Sequence, residues 1–319
     1  MTGQFCRQCA EPVGPRDRFC EHCGSWVAAS RRDHVEIDVG SAAGVSDRGL
    51  RHHRNEDALA LRDISVAPAL GPALGGAAGR REMTVAVVCD GVSSSARPDE
   101  ASEVAAEVAA EALVAALHAA DNPAAATHQA IRAADKAVAE MADHARADGA
   151  VRSAPACTFV SAVVTGNAVT VGWVGDSRAY WVPEAHPDAA PAQLTRDDSW
   201  LAEVLAAGTL SPAQAAADRR AHAVTAWLGE ATEPVDPHVI TLEPEGPGVV
   251  VVCTDGLWNY LDTADQLPAQ ALDRPLDTAR RLVDLALHRG GHDNITVAVL
   301  PFPPAAGQRS PGGLSCPAA

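Results

Sequence analysis

The sequence predicts a mixed α/β domain, on three observations. Four apolar, β-branched runs have the length of buried strands: Thr84 to Cys89, Ala168 to Val174, Val249 to Thr254 and Ile295 to Leu300. Long stretches with helical spacing fall between them. Hydrophobic residues make up 47% of the 319-residue chain, enough for a sizeable core in one large domain with small appendages.

Residues 1–28 stand apart as a small module. Phe5-Cys6-Arg7-Gln8-Cys9-Ala10 is echoed by Phe19-Cys20-Glu21-His22-Cys23-Gly24, so one knuckle turn is repeated across a loop bearing Pro12, Gly14 and Pro15. Cys6, Cys9, Cys20 and Cys23 can offer four thiolates to one structural Zn2+, with no position left open for chemistry. So short a segment has no core of its own and needs the metal to fold. A redox Cys-x-x-Cys pair or two disulfides are the alternatives. The first usually opens a helix in a larger fold, and the second is disfavoured where thiols stay reduced. The module reads as a zinc ribbon that docks a protein partner or a second subunit.

Residues 29–38 read as a polar linker, and 39–301 as the main domain. Asp57 precedes Ala58 to Leu61, a first strand. Leu70 to Gly79 is a Gly/Ala/Pro-rich flexible loop. Ala101 to Ala119 reads as a helix opened by Pro98 or Asp99, with Glu103, Glu107 and Glu111 at every fourth position. Thr127 to Ala145 is a second helix, and Leu276 to His288, just after Pro275, a third. Residues 302–319 form a Pro/Gly-rich disordered tail in which Cys316 is an exposed thiol.

Charge and targeting exclude several function classes. Acidic residues outnumber basic ones by 41 to 25, for a formal charge of −16, and Lys/Arg runs are no longer than pairs. A nucleic acid would be repelled. No apolar run reaches the roughly 18 residues of a membrane span. The start of the chain lacks the apolar core of a signal peptide, which places the protein in the cytoplasm.

The chemistry lies in the aspartates. Val85 to Cys89 runs straight into Asp90-Gly91, and Val250 to Thr254 runs straight into Asp255-Gly256. Asp293 stands just before the last strand and Asp57 before the first. Carboxylates at strand ends sit at a sheet rim with fixed backbones. Brought together they repel and raise one another's pKa, a penalty that a divalent cation removes. Hard oxygen ligands select Mg2+ or Mn2+. Glycine after Asp90 lets a backbone carbonyl approach such an ion. One Asp-Gly alone is better read as a turn; two after matching strands, with Gly290-Gly291-His292-Asp293-Asn294, are not.

These segments resemble the metal-dependent protein phosphatases of the type 2C (PPM) kind, in order along most of residues 40–300. The matching motifs are Ser46-Asp47-Arg48-Gly49 through Arg54-Asn55-Glu56-Asp57, Val88 to Gly91, Val174 to Tyr180, Leu194 to Ser199, Cys253 to Leu257 and Gly290 to Val297. The resemblance implies an α+β fold, an αββα sandwich of two antiparallel sheets flanked by helices. It implies two Mn2+ or Mg2+ ions, with Asp90 bridging them, Gly91 giving a carbonyl to one, and Asp255 and Asp293 holding the other. Glu56 and Asp57 act from the outer shell, through bound waters. A metal-bridging hydroxide would then attack phosphoserine or phosphothreonine in line. The substrates implied are phosphoproteins, opposite a serine/threonine kinase. Asp176 and Arg178 are expected to lock a turn, and Cys89 and Cys253 to be buried hydrophobes. The alternative function is a non-catalytic phospho-signalling regulator or adaptor on the same fold.

The chain departs from the family pattern at four places. His52 occupies the position of the usual phosphate-holding arginine, leaving Arg51 or Arg54 for that role. Ser93-Ser94 replaces a glycine pair. Ser153 stands where many bacterial relatives have an aspartate for a third metal. Asp197-Asp198-Ser199 replaces Asp-His-Ser ahead of a flap-like segment, Trp200 to Gly229, whose His222 reads as structural.

Overall fold

The computed structural model describes residues 4–5, 11–13, 22, 33–66, 81–119, 121–147, 154–184, 190–229, 235–261, 263–267 and 274–304. Cys6, Cys9, Cys20, Cys23, Ser153, the 70–79 loop and the tail from 305, with Cys316, lie outside the described residues. A short ribbon comes first, β1 (Gln4–Phe5) against β2 (Pro12–Val13).

The main body follows in the order β3 (His34–Asp38), β4 (Ala43–Asp47), β5 (Asp57–Val66), β6 (Arg81–Asp90), α1 (Pro98–His118), α2 (Pro123–Ala147), β7 (Phe159–Val164), β8 (Val169–Val174), β9 (Arg178–Pro183) and β10 (Ala192–Gln193). It continues with α3 (Trp200–Ala206), α4 (Pro212–Ala216), β11 (His238–Leu242), β12 (Gly248–Cys253), α5 (Asp255–Trp258), α6 (Pro275–His288) and β13 (Ile295–Phe302). The strands form two antiparallel sheets, one in the order β10-β9-β12-β13-β4-β3 and the other in the order β11-β8-β7-β6-β5.

Period-2 alternation explains the layering. On β12, Val250 and Val252 face the layer between the sheets with Ala86, Val88, Ala298 and Leu300. Val249, Val251 and Cys253 face the other way, onto Leu282, Val283 and Ala286 of α6. On the far side, Val85 and Val87 of β6 pack under Ala105, Ala109 and Leu113 of α1 and Ile131 of α2. The result is the αββα sandwich. Pro98 at the first turn of α1, with Asp99 and Glu100 behind it, suits the positive helix end.

Two boundaries differ from the sequence reading. Residues His34–Asp38, inside the stretch read as a linker, form β3 and pair with β4. Their alternation of His, Glu and Asp with Val and Ile is that of a short edge strand, whose outward charges look like linker polarity in a composition count. At the other end, β13 runs to Phe302, which is buried, one residue into the stretch read as tail.

Register brings the strand ends to one rim. Asp57 and Asp90 are directly opposed across β5 and β6. Cys253 at the end of β12 faces Arg178 on one side and Val297 on the other, and Ile295 at the start of β13 faces Asp47. Glu56 N–H donates to Asn294 Oδ1 at 2.7 Å, joining the rims of the two sheets.

Candidate metal centre

Asp57 is held by a directed chain of hydroxyls. Asn55 Nδ2 donates to Ser46 Oγ at 2.8 Å, Ser46 Oγ lies 2.7 Å from Thr296 Oγ1, and Thr296 Oγ1 donates to Asp57 Oδ2 at 2.7 Å. Since each hydroxyl has one proton, Ser46 must be the donor to Thr296. Thr254 Oγ1 adds a second bond to Asp57 Oδ2 at 2.9 Å. The other oxygen, Asp57 Oδ1, is buried and accepts no hydrogen bond among the described residues, and the same holds for Asp255 Oδ1.

Asp255 opens α5, and Asn259 Nδ2 donates to its second oxygen at 3.2 Å. A side chain at Gly256 would strike the Asn294 carbonyl, so glycine there lets α5 lie against the loop that carries Asp293. Asp293 Oδ1 accepts from Asn294 N–H at 2.8 Å and lies 3.1 Å from His52 Nε2. Gly91 is needed for a similar reason: a Cβ there would lie 2.5 Å from the Pro98 carbonyl and 2.8 Å from that of Glu56. Its N–H donates to the Glu56 carbonyl at 3.1 Å.

The electrostatics are those of a cluster under mutual repulsion. Burial pushes Asp57 up to about 7 against the pull of the two threonine hydroxyls, and the charge of Asp293 adds to the rise. Asp90 is raised well above the usual carboxylate range, first by burial and then by Asp57, Asp255, Asp176 and Asp293. Asp255 is raised likewise, by burial and then by Asp293, Asp176 and Asp57. The sequence-predicted aspartates therefore share one electrostatic site.

A pair of hard divalent cations fits this donor set. Two orphaned carboxylate oxygens are buried in it, and its repulsion falls when positive charge enters. Among the described residues no trio of His, Cys, Asp or Glu forms a ready-made cage. Ions held here would complete their shells with water, as Mg2+ usually does.

The remaining predicted residues divide. Both Glu56 oxygens are occupied, Oε1 by Arg54 Nε at 2.8 Å and Oε2 by Ser93 Oγ at 2.6 Å. Arg54 also reaches Asp99 at 3.4 Å. Arg51 is exposed and makes no ion pair among the described residues. Cys89 and Cys253 are fully buried with their thiols pushed up, chiefly by burial, so neither is a nucleophile. Asp176, expected with Arg178 to lock a turn, feels the charge of Arg178 but has no ion pair with it among the described residues. Arg178 pairs instead with Asp197, while Asp198 Oδ2 accepts from Gly175 N–H at 2.9 Å. His222 is exposed rather than built into the structure. Ser46, Thr254, Thr296 and Asn294 lay inside the quoted motifs, but their roles escaped the sequence reading. The only signal was a hydroxyl or amide at an inward position among apolar neighbours.

The protein phosphatase 2C family model matches residues 73–283, roughly two thirds of the chain. The chain belongs to the protein phosphatase 2C family. Among curated protein phosphatase 2C relatives, the serine/threonine protein phosphatase PstP of Mycobacterium tuberculosis is 29% identical over 143 residues, 44% of this chain and 26% of PstP. The protein phosphatase PhpP of Streptococcus pneumoniae is 32% identical over 156 residues, 48% of this chain and 60% of PhpP. The matched stretches thus span less than two thirds of either relative.

Solved structures match over more of the protein phosphatase 2C domain. The catalytic domain of PstP, in complex with two manganese ions, superposes with a TM-score of 0.56 at 25% identity, covering 81% of this chain and 96% of that one. The PPM Ser-Thr phosphatase MsPP of Mycobacterium smegmatis, in complex with cacodylate, gives 0.59 at 26% identity, covering 83% and 99%.

Proposed function

We propose that this protein phosphatase 2C member is a serine/threonine protein phosphatase, hydrolysing phosphoserine and phosphothreonine with two Mn2+ or Mg2+ ions. The observation that carries the reading is the pair of buried oxygens, Asp57 Oδ1 and Asp255 Oδ1, that accept no hydrogen bond among the described residues, inside a carboxylate cluster at one sheet rim. The names of the relatives and the two manganese ions of PstP support it.

Asp90, Asp255 and Asp293, with the Gly91 carbonyl, would hold the ions, and Asp57 would serve from the outer shell. When bound, the ions supply positive charge to offset the phosphoryl oxygens and Lewis acidity to activate water. Thr254 and Thr296 fix Asp57 in one orientation, so its free oxygen stays aimed. Glu56, gripped by Arg54 and Ser93, serves the outer shell as an anchor. Arg51, exposed and without an ion pair among the described residues, is the first choice to grip the phosphate bidentately, because Arg54 is engaged with Glu56 and Asp99. The test is phosphate release from a phosphothreonine peptide with Mn2+. EDTA and Asp255→Asn should each abolish it, and turnover untouched by both would sink the two-ion reading.

Further parts of the proposal concern the rest of the chain. Cys6, Cys9, Cys20 and Cys23 hold one structural Zn2+, which supplies the folding energy so short a module lacks. Metal analysis should find close to one zinc per chain, lost on Cys20→Ser. The zinc module serves a protein partner, and the substrates are phosphoproteins set against a serine/threonine kinase. The compartment proposed is the cytoplasm, a reducing one in which four cysteine thiolates stay free to hold zinc.

A further inference from the structure

One guanidinium joins the segment that follows β10 to the helix that carries Asp255. Arg178 Nε and Nη2 donate to the two oxygens of Asp197 at 2.9 and 2.7 Å, and Nη1 donates to the Tyr180 hydroxyl at 3.3 Å. The flat face of the same guanidinium lies 3.6 Å from the centre of the Trp258 ring. All three contacts use the planar geometry of arginine, which lysine cannot reproduce.

The two ends of this bridge matter for different reasons. Trp258 is the last residue of α5, and Asp255 is the first. A helix of four residues has no room to absorb a shift at one end without moving the other. Asp197 begins the stretch that becomes α3. Beside it, Asp198 N–H donates to the Gly175 carbonyl at 2.9 Å, the Asp198 carbonyl accepts from Thr225 N–H at 2.8 Å, and Ser199 caps α3. Residues 197–199 are therefore pinned by backbone bonds and lead straight into α3, and Arg178 links them to α5. Arg178 also stands opposite Cys253 in the β9–β12 pairing, two residues before Asp255, so its backbone is fixed by the ladder.

We propose that Arg178 is a positioning residue that couples ion binding at Asp255 to the order of residues 197–206. Filling the site steadies α5, Trp258 steadies the guanidinium, and Asp197 is held in turn. The coupling is reciprocal, so loosening Asp197 weakens the hold on the ion. This inference rests on the proposed two-ion site.

The test uses the full chain and two readouts other than turnover. Calorimetry measures Mn2+ affinity, and hydrogen exchange follows the amides of residues 197–206 with and without Mn2+. In the wild type, Mn2+ should slow exchange across that segment. Arg178→Lys keeps the charge but loses the fork and the stacked face. It should weaken Mn2+ binding by roughly tenfold or more, the usual effect of removing a residue that supports metal ligands. It should also abolish the Mn2+-dependent protection. Trp258→Leu should do the same, while Trp258→Phe keeps an aromatic face and should restore most of both. These two variants decide the matter should Arg178→Lys fail to fold. Arg178→Lys or Trp258→Leu with wild-type affinity and wild-type protection would overturn the coupling. A wild type that binds no Mn2+ would instead remove the two-ion site on which it rests.

Discussion

Ser93 Oγ donates a 2.6 Å hydrogen bond to Glu56 Oε2, on the side of the carboxylate away from Arg54. The residue that replaces a family glycine thus ties the loop after Asp90-Gly91 to the entry of β5. Ser93→Ala should cost about 1 kcal/mol, below the ~1.5–3 kcal/mol usual for a bond to a charged group, because Ser93 itself is exposed. In a domain of this size that is a fall of roughly 2–4 °C in Tm. A melt indistinguishable from wild type would show that Arg54 alone anchors Glu56.

Asp255→Asn should separate stability from activity. Burial and the charges of Asp293, Asp176 and Asp57 work against ionised Asp255, so a neutral amide relieves repulsion in the metal-free protein. The variant should melt higher than wild type in EDTA and gain little on adding Mn2+, while phosphate release is lost. A metal-free melt below that of wild type would contradict the repulsion.

Gly256→Ala should damage the site from the backbone. The new methyl would collide with the Asn294 carbonyl. Either α5 or the Asp293 loop must retreat, at about 1–3 kcal/mol as for other overpacked positions. Loss of Mn2+ binding greater than the loss in Tm suggests is the expected outcome. Unchanged Mn2+ affinity would show that the two segments separate without harm.

His34 gives a pH-dependent latch on β3. Its ring lies 2.7 Å from Asp47 Oδ2 and 3.3 Å from Glu36 Oε1. Burial opposes its charge, but the bonds to Asp47 and Glu36 prevail and hold its pKa above the ordinary 6.5. A histidine pKa raised on folding adds stability that is complete below the unfolded value and fades as pH rises through the folded one. His34→Ala should therefore cost about 0.5 kcal/mol at pH 5.5, small because the pair is half exposed, and close to nothing at pH 8.5. Equal losses at both values would rule out the charge effect.

Much of this was legible in the sequence, for definite reasons. The four strands announced themselves as short apolar runs buried on both faces, as in β12, and the helices by the helical period of their buried residues, as in α1. Asp90 and Asp255 were visible because each ends an apolar run. Their convergence with Asp57 and Asp293 is a matter of register between distant strands, which no local pattern shows. β3 was missed because an edge strand of five residues with charges outward has the composition of a linker. The partner of Arg178 stayed hidden for a related reason. Asp176 is near in sequence, whereas Asp197 is brought to it by the pairing of Gln193 with Tyr180.

β3 also decides where the chain enters the sandwich. His34 begins the strand opposite Asp47, at the same end of the sandwich as the carboxylates, and Arg48 N–H donates to the Asp33 carbonyl at 2.8 Å. The chain from Cys23 to that anchor is residues 24–33, which at about 3.3–3.6 Å per residue can span no more than about 35 Å. Covalent geometry alone therefore bounds how far Cys23 can lie from the end of the sandwich where the aspartates gather.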